Sequence, residues 1–167
     1  MLERDPRTAG HMLDHLNRYL RASLGRTRKP SSTCAEELEL IEALLAIAAI
    51  RLGSRLRYEL RLPEELRQAR LPPLLLQPLV ENALKHGIEP AVEGGQIEVD
   101  CAAPDGRLVL RVRDTGMGFT ECAPAGVGLA NIRARLASLF GTEGELALYR
   151  NEPRGTVAEL TLPLMRD

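Results

Sequence analysis

Two runs, QIEVDCAA (residues 96–103) and RLVLRVRD (residues 107–114), alternate apolar and polar side chains on either side of the turn signal PDG. A period of two is the pattern of a strand with one face buried, and a short turn between two such strands makes a β-hairpin. The hairpin commits the chain to a sheet, and a sheet must cover its apolar face with another layer.

The covering layer is written in helical spacing on both sides of that hairpin. In residues 6–24, Met12, Leu13, Leu16, Tyr19, Leu20 and Leu24 fall near one face of a first helix. Ser32 or Thr33 stands where it can cap a second helix through CAEELELIEALLAIAAIRLG, with glutamates in its first turns and Gly53 as its stop. Tyr58, Leu60 and Leu62 alternate as in a strand, and residues 74–87, LLLQPLVENALKHG, are helical again. VGLANIRARLASLFG reads as a last helix ending at Gly141, before two strands, ELALYR and GTVAELTLP, joined by NEPR. The expected fold is α+β: a helical arm over residues 1–54, then a sheet with helices on one face over residues 55–167.

Composition removes several functions. The chain carries 22 basic and 23 acidic residues, and no basic stretch alternates with aromatics, so nucleic acid is not an expected partner. The longest apolar run, ALLAIAAI at residues 43–50, is too short to span a bilayer, and MLERDPRTAG holds no hydrophobic signal region. A soluble, cytoplasmic chain without direct membrane contact is expected. Cys34, Cys101 and Cys122 form no CxxC and read as reduced structural cysteines. His11 and His15 lie four apart, but no third ligand accompanies them and solvent exposure is the expectation.

Three stretches carry chemistry. In residues 74–87, Leu76, Leu79, Val80, Ala83 and Leu84 share one arc of a helix, while Gln77, Glu81, Asn82, Lys85 and His86 fill the other. Pro72, Pro73 and Pro78 require the helix to begin close to them. Asparagine is a poor helix-interior residue, so Asn82 points to a ligand, whereas His86 can cap the helix end beside Gly87. DTGMGF, residues 114–119, places an acid before glycines that allow close approach of a ligand. In GVGLANIRARL, Gly126 and Gly128 precede a helix whose first amides can hold phosphate oxygens. Asn131 stands where a dinucleotide fingerprint needs its third glycine, which argues against that site.

In order, VENALKH, DTGMGF, GVGLANIRARL and GTVAELTLP resemble the nucleotide-binding domain shared by gyrase, Hsp90, histidine kinases and MutL, the GHKL or Bergerat fold. The upstream segments RDPRTAGHMLDHLNRYLRASL and EELELIEALLAIAAIRLGSRL extend the resemblance to LytS/YehU-type bacterial sensor histidine kinases. The resemblance implies a two-layer α/β sandwich with a mixed sheet, binding ATP and Mg²⁺. It implies that Asn82 ligates the metal through its amide oxygen, with Glu81 beside it as a catalytic acidic residue, and that Lys85 and His86 lie near the phosphates. Asp114 would recognise the adenine amino group, Gly116 and Gly118 would shape the loop beneath the base, and Thr156 would support the adenine site. Gly126, Gly128 and Leu129 would border a short lid at TECAPA, residues 120–125.

Two departures refine what is implied. No HFxFN phosphoacceptor motif occurs, so the accepting histidine is expected outside this chain, on a helix preceding RDPRTAG. That helix would cover apolar surface left on residues 6–24 and 34–52. Where the hydrolytic relatives place a water-activating glutamate, four residues before the metal asparagine, this chain has Pro78, which cannot act as a base. The implied activity is phosphotransfer from ATP to histidine, with a response regulator of LytTR-like type as partner and a homodimer as the assembly. A nucleotide-sensing interaction module and an anti-sigma-type serine kinase remain alternatives on the same fold.

Overall fold

The computed structural model describes residues 6–26, 30–118 and 127–166. Its elements are α1 (Pro6–Arg26), β1 (Ser32–Thr33), α2 (Cys34–Leu52), β2 (Leu56–Arg61), β3 (Arg70–Leu71), α3 (Leu76–Asn82), β4 (Gly95–Ala102), β5 (Arg107–Asp114), α4 (Val127–Phe140), β6 (Glu145–Arg150) and β7 (Thr156–Pro163). Five strands form a mixed sheet in the order β2-β4-β5-β7-β6. β2 runs parallel to β4 and every other pair is antiparallel. β1 and β3 make a separate two-stranded ladder that the sequence pattern did not signal.

Local chemistry explains the boundaries. Thr33, rather than Ser32, caps α2: its side chain accepts the Glu36 N–H at 3.2 Å, while the Glu36 carboxylate accepts the Thr33 N–H at 3.3 Å. This reciprocal pairing satisfies two otherwise orphaned donors. Gly53 ends the helix with φ 59°, a left-handed conformation that favours glycine. The β4–β5 turn at Pro104–Gly106 bends through Asp105 and Gly106, both at positive φ.

One continuous core joins the helices to the sheet. Leu38, Ile41, Leu45 and Ala48 of α2, Leu76, Leu79 and Val80 of α3, and Ile132 and Leu136 of α4 pack with Ile97, Val99, Leu110 and Leu160 of the strands. The opposite face of the sheet carries a ladder of charges in which Arg111 pairs with Asp100 and Glu159, and Arg113 with Asp100 and Glu98. Solvent-facing pairs of this kind contribute about 0.2–1 kcal/mol each, so the ladder keeps this face polar more than it stabilises the fold.

α1 packs on α2. Leu13, Leu16, Leu20 and Leu24 nevertheless stay exposed, at 40% or more, while Met12, His15, Tyr19 and Ala22 are half-buried. The expectation of a solvent-exposed His15 is corrected here, since its Nδ1 is buried without a hydrogen-bond partner. His11 is exposed. Cys34 and Cys101 are buried free thiols, and Cys122 lies outside the described residues. Among the described residues, no helix is long and apolar enough to cross a membrane, and no cluster of three metal-ligating side chains occurs.

Candidate functional site

The helix that begins at Leu76 does not stop at Gly87. After Asn82 it widens into a π-helical turn, Ala83–Ile88, marked by donation from the Glu89 N–H to the Leu84 carbonyl five residues back at 2.9 Å. Such turns re-aim side chains and gather at functional sites. The polar stripe divides into two pairs four residues apart. Asn82, half-buried, and His86, exposed, line a cavity, whereas Glu81 and Lys85 are exposed and absent from its lining. Glu81 instead accepts from Gln77 at 3.0 Å, and the same Gln77 amide donates to the Tyr19 hydroxyl of α1. Burial, and then the neighbouring Glu81 carboxylate, pushes the Tyr19 hydroxyl above its ordinary pKa. The helical arm thus touches the helix that bears Asn82.

The cavity, about 50 Å³ in volume, opens between α3, the first turn of α4 and strands β5, β7 and β6. Asn82, His86, Asp114, Gly118, Leu129 and Thr156 all line it, six residues singled out from the sequence. Leu79, Val112, Leu148 and Ala158 supply apolar walls. A planar apolar group with one polar edge suits this lining, because apolar walls with a few placed polar groups are what fix a ligand's orientation.

Asp114 is the buried polar group of this cavity, 3% exposed. Its Oδ1 accepts the Gly116 N–H at 2.9 Å, and the Thr156 backbone N–H donates to the same carboxylate. Burial pushes the carboxyl above its usual range, and those two amide bonds only partly oppose the displacement. A desolvated acceptor at the end of an apolar slot is well suited to an N–H donor on a bound base.

Three glycines let the backbone close around that carboxylate. A Cβ on Gly116 would lie 2.0 Å from the Gly87 carbonyl oxygen, and one on Gly87 would lie 2.6 Å from Asp114 Oδ1. Gly155, at φ 115°, would place a Cβ 1.8 Å from the Asp114 carbonyl oxygen. Met117 N–H donates to Gly87 O at 2.9 Å, tying the DTGMG loop to the π turn. Gly87 and Gly155 were not anticipated as site residues; the signal for Gly87 was there, but in the sequence it reads as a helix stop. Gly128 is exposed in the first turn of α4, beside Pro78, and Gly126 lies outside the described residues, as does the segment TECAPA.

Residues 69–166 match the histidine kinase-, DNA gyrase B-, and HSP90-like ATPase family. The chain belongs to that family. A second match, to the histidine kinase family, covers residues 1–56. Among relatives of this chain, the sensor histidine kinase BtsS of Escherichia coli K12 is 30% identical over 166 residues, covering 98% of this chain and 29% of BtsS. The sensor protein LytS of Oceanobacillus iheyensis is 28% identical, over 98% of this chain and 30% of its own. The chain thus spans about 30% of the length of these relatives. In fold, it is similar to the catalytic domain of histidine kinase ThkA, with a TM-score of 0.63 at 15% identity over 82% of this chain and 97% of that one. It is also similar to the histidine kinase domain of Erythrobacter litoralis EL346, with a TM-score of 0.62 at 18% identity over 94% and 75%.

Proposed function

We propose that this chain is the ATP-binding catalytic portion of a two-component sensor histidine kinase, passing the γ-phosphoryl of Mg-ATP to a histidine outside residues 1–167. The observation that carries the reading is Asp114, a buried carboxylate at the end of an apolar cavity that Asn82 and Thr156 also line. In this reading Asp114 accepts the adenine amino group, the apolar walls sandwich the base, and Gly116 and Gly118 let the backbone approach it. Asn82 and His86 stand on the phosphate side, and the first amides of α4, at Gly128 and Leu129, face the triphosphate. Lys85, on the outer flank, meets phosphate oxygens outside the base slot.

Magnesium fits this donor set: with no acidic cluster among the described residues, the ion would be held by the Asn82 amide oxygen, phosphate oxygens and water. Bound there, it would neutralise charge on the transferring phosphoryl group. The protein's own contribution is positioning, because phosphoryl transfer asks for little covalent chemistry from side chains. Glu81 sits beside Asn82 but outside the cavity, on the flank that reaches α1 through Gln77. That side suits an acceptor histidine on a helix packed against α1, and Glu81 would take its proton. Pro78, in the first turn of α3, leaves the hydrolytic base position empty of any carboxylate, which favours transfer over hydrolysis.

Residues 1–54 would serve as part of the dimerisation hairpin and connecting helix, joined to a catalytic unit at 55–167 and paired in a homodimer through the exposed leucines of α1. A response regulator receives the phosphoryl group, and the LytS-type kinship favours one with a LytTR-like domain. The chain then works on the cytoplasmic side of a membrane-bound sensor. The test is to fuse a helix bearing the HFxFN motif ahead of Met1 and supply labelled Mg-ATP. Acid-labile, alkali-stable phosphate on the fused histidine is expected; nucleotide binding without any such label would leave a sensing module instead.

A further inference from the structure

The β5–β7 pairing ends at Arg113 and Val157. One residue further on, the Asp114 carbonyl takes its hydrogen bond from outside the ladder: the side-chain amide of Asn151 donates to it at 2.9 Å. Asn151 begins the β6–β7 turn, and its own backbone N–H closes that turn on the Gly155 carbonyl at 3.0 Å. Gly155 in turn rests against the same Asp114 carbonyl, so closely that no side chain fits between them. Thr156, next in sequence, donates its backbone N–H to the Asp114 carboxylate. The turn 151–155 and Thr156 after it therefore grip Asp114 at both ends, carbonyl and carboxylate, while Glu152, Pro153 and Arg154 are exposed.

We propose that Asn151 is a positioning residue for base selection, fixing the main chain of Asp114 so that its carboxylate meets the exocyclic amino group of a purine. The inference rests on Asp114 reading the adenine amino group. Asn151 touches neither base nor phosphate; among the described residues it is absent from the cavity lining. A hydrogen bond to a buried carboxylate tolerates little displacement, and Asn151, 37 residues away along the chain, restrains Asp114 from the β7 side, where the ladder has ended, while β4 still pairs with it on the other. The turn would thus couple selectivity to a segment with no direct part in binding.

The experiment compares Mg-ATP with Mg-purine riboside triphosphate, which has the same charge and lacks only the amino group. Both are titrated calorimetrically into the full chain and into Asn151→Ala. The unaltered chain should favour ATP by roughly 10- to 100-fold, the value of a hydrogen bond to a charged acceptor. Asn151→Ala should reduce that preference about tenfold, because a displacement of about 1 Å is enough to spoil such alignment. A merely structural role would weaken both nucleotides together and leave the ratio unchanged, which overturns the proposal. Should the alanine variant melt below the assay temperature, Asn151→Leu carries the test, since it keeps nearly the same size, offers no N–H and adds no charge beside Asp114. No preference in the unaltered chain would sink base reading by Asp114 and this inference with it, whereas a preference retained by both variants sinks the inference alone.

Discussion

Glu37, wholly buried in α2, accepts the backbone N–H of Leu74 through both carboxylate oxygens, at 3.1 and 3.2 Å. Leu74 is left-handed, with φ 61°, and it stands two residues before the helix that presents Asn82. A leucine in that conformation costs about 1–3 kcal/mol, which a charge-assisted hydrogen bond offsets. Glu37→Ala should therefore destabilise the chain by about 2–3 kcal/mol and weaken ATP binding with it, whereas Glu37→Gln, which can still accept, should lose less. Urea unfolding of the two variants measures the difference; equal losses would mean the carboxylate does not hold Leu74.

Gly116 and Gly128 should behave oppositely. A methyl at Gly116 collides with the Gly87 carbonyl at 2.0 Å, backbone against backbone, while one at Gly128 meets Pro78 Cβ at 3.4 Å, an ordinary contact. Gly116→Ala should cost more than about 2 kcal/mol and abolish nucleotide binding; Gly128→Ala should stay within about 0.5 kcal/mol. Thermal melting with and without ATP separates them.

Asp114 carries a cost for its function. Burial raises its pKa, so ionisation is harder folded than unfolded, and stability is lost as pH rises through that raised value. Asp114→Asn should melt higher than the unaltered nucleotide-free chain at neutral pH, by about 2–4 °C per kcal/mol relieved. The gain should vanish below the ordinary carboxylate range, where Asp114 is protonated in both states. ATP affinity of the unaltered chain should fall, as pH is lowered, earlier than an ordinary carboxylate would dictate. A melting difference that is the same at acid and neutral pH would refute the assignment of cause.

Glu81 lies outside the cavity, so Glu81→Gln should leave the Kd for Mg-ATP within about twofold while slowing phosphotransfer to a fused acceptor helix by about 100-fold or more. Loss of binding in parallel with transfer would place Glu81 in nucleotide recognition instead.

Much of this architecture is local and was readable. The capping box at Thr33, the stop at Gly53, the 96–114 hairpin and the last hairpin each rest on residues within a few positions of one another. Of the six cavity residues, Asp114 and Gly118 stand in the acid-and-glycine pattern and Asn82 and His86 on the polar stripe, whereas Leu129 and Thr156 came only with the family resemblance. The π turn was not, since a helical wheel assumes 100° per residue and cannot register a bond spanning five residues. The broad polar arc also grouped Glu81 and Lys85 with Asn82 and His86, although adjacent helix positions stand 100° apart, and only the second pair lines the cavity. The walls Val112, Leu148 and Ala158 come together only through the order β5-β7-β6, and Asn151 and Glu37 act on partners 37 residues away in sequence. No window of local sequence contains such pairs.

The most direct measurement is calorimetric titration of ATP, with and without Mg²⁺, into this chain and its Asp114→Asn and Asn82→Ala variants. The unaltered chain should bind ATP, and more tightly with magnesium. Asp114→Asn should weaken binding by about 10- to 100-fold, and Asn82→Ala should retain ATP while losing the magnesium enhancement. A folded, unaltered chain that gives no heat with ATP would contradict the account.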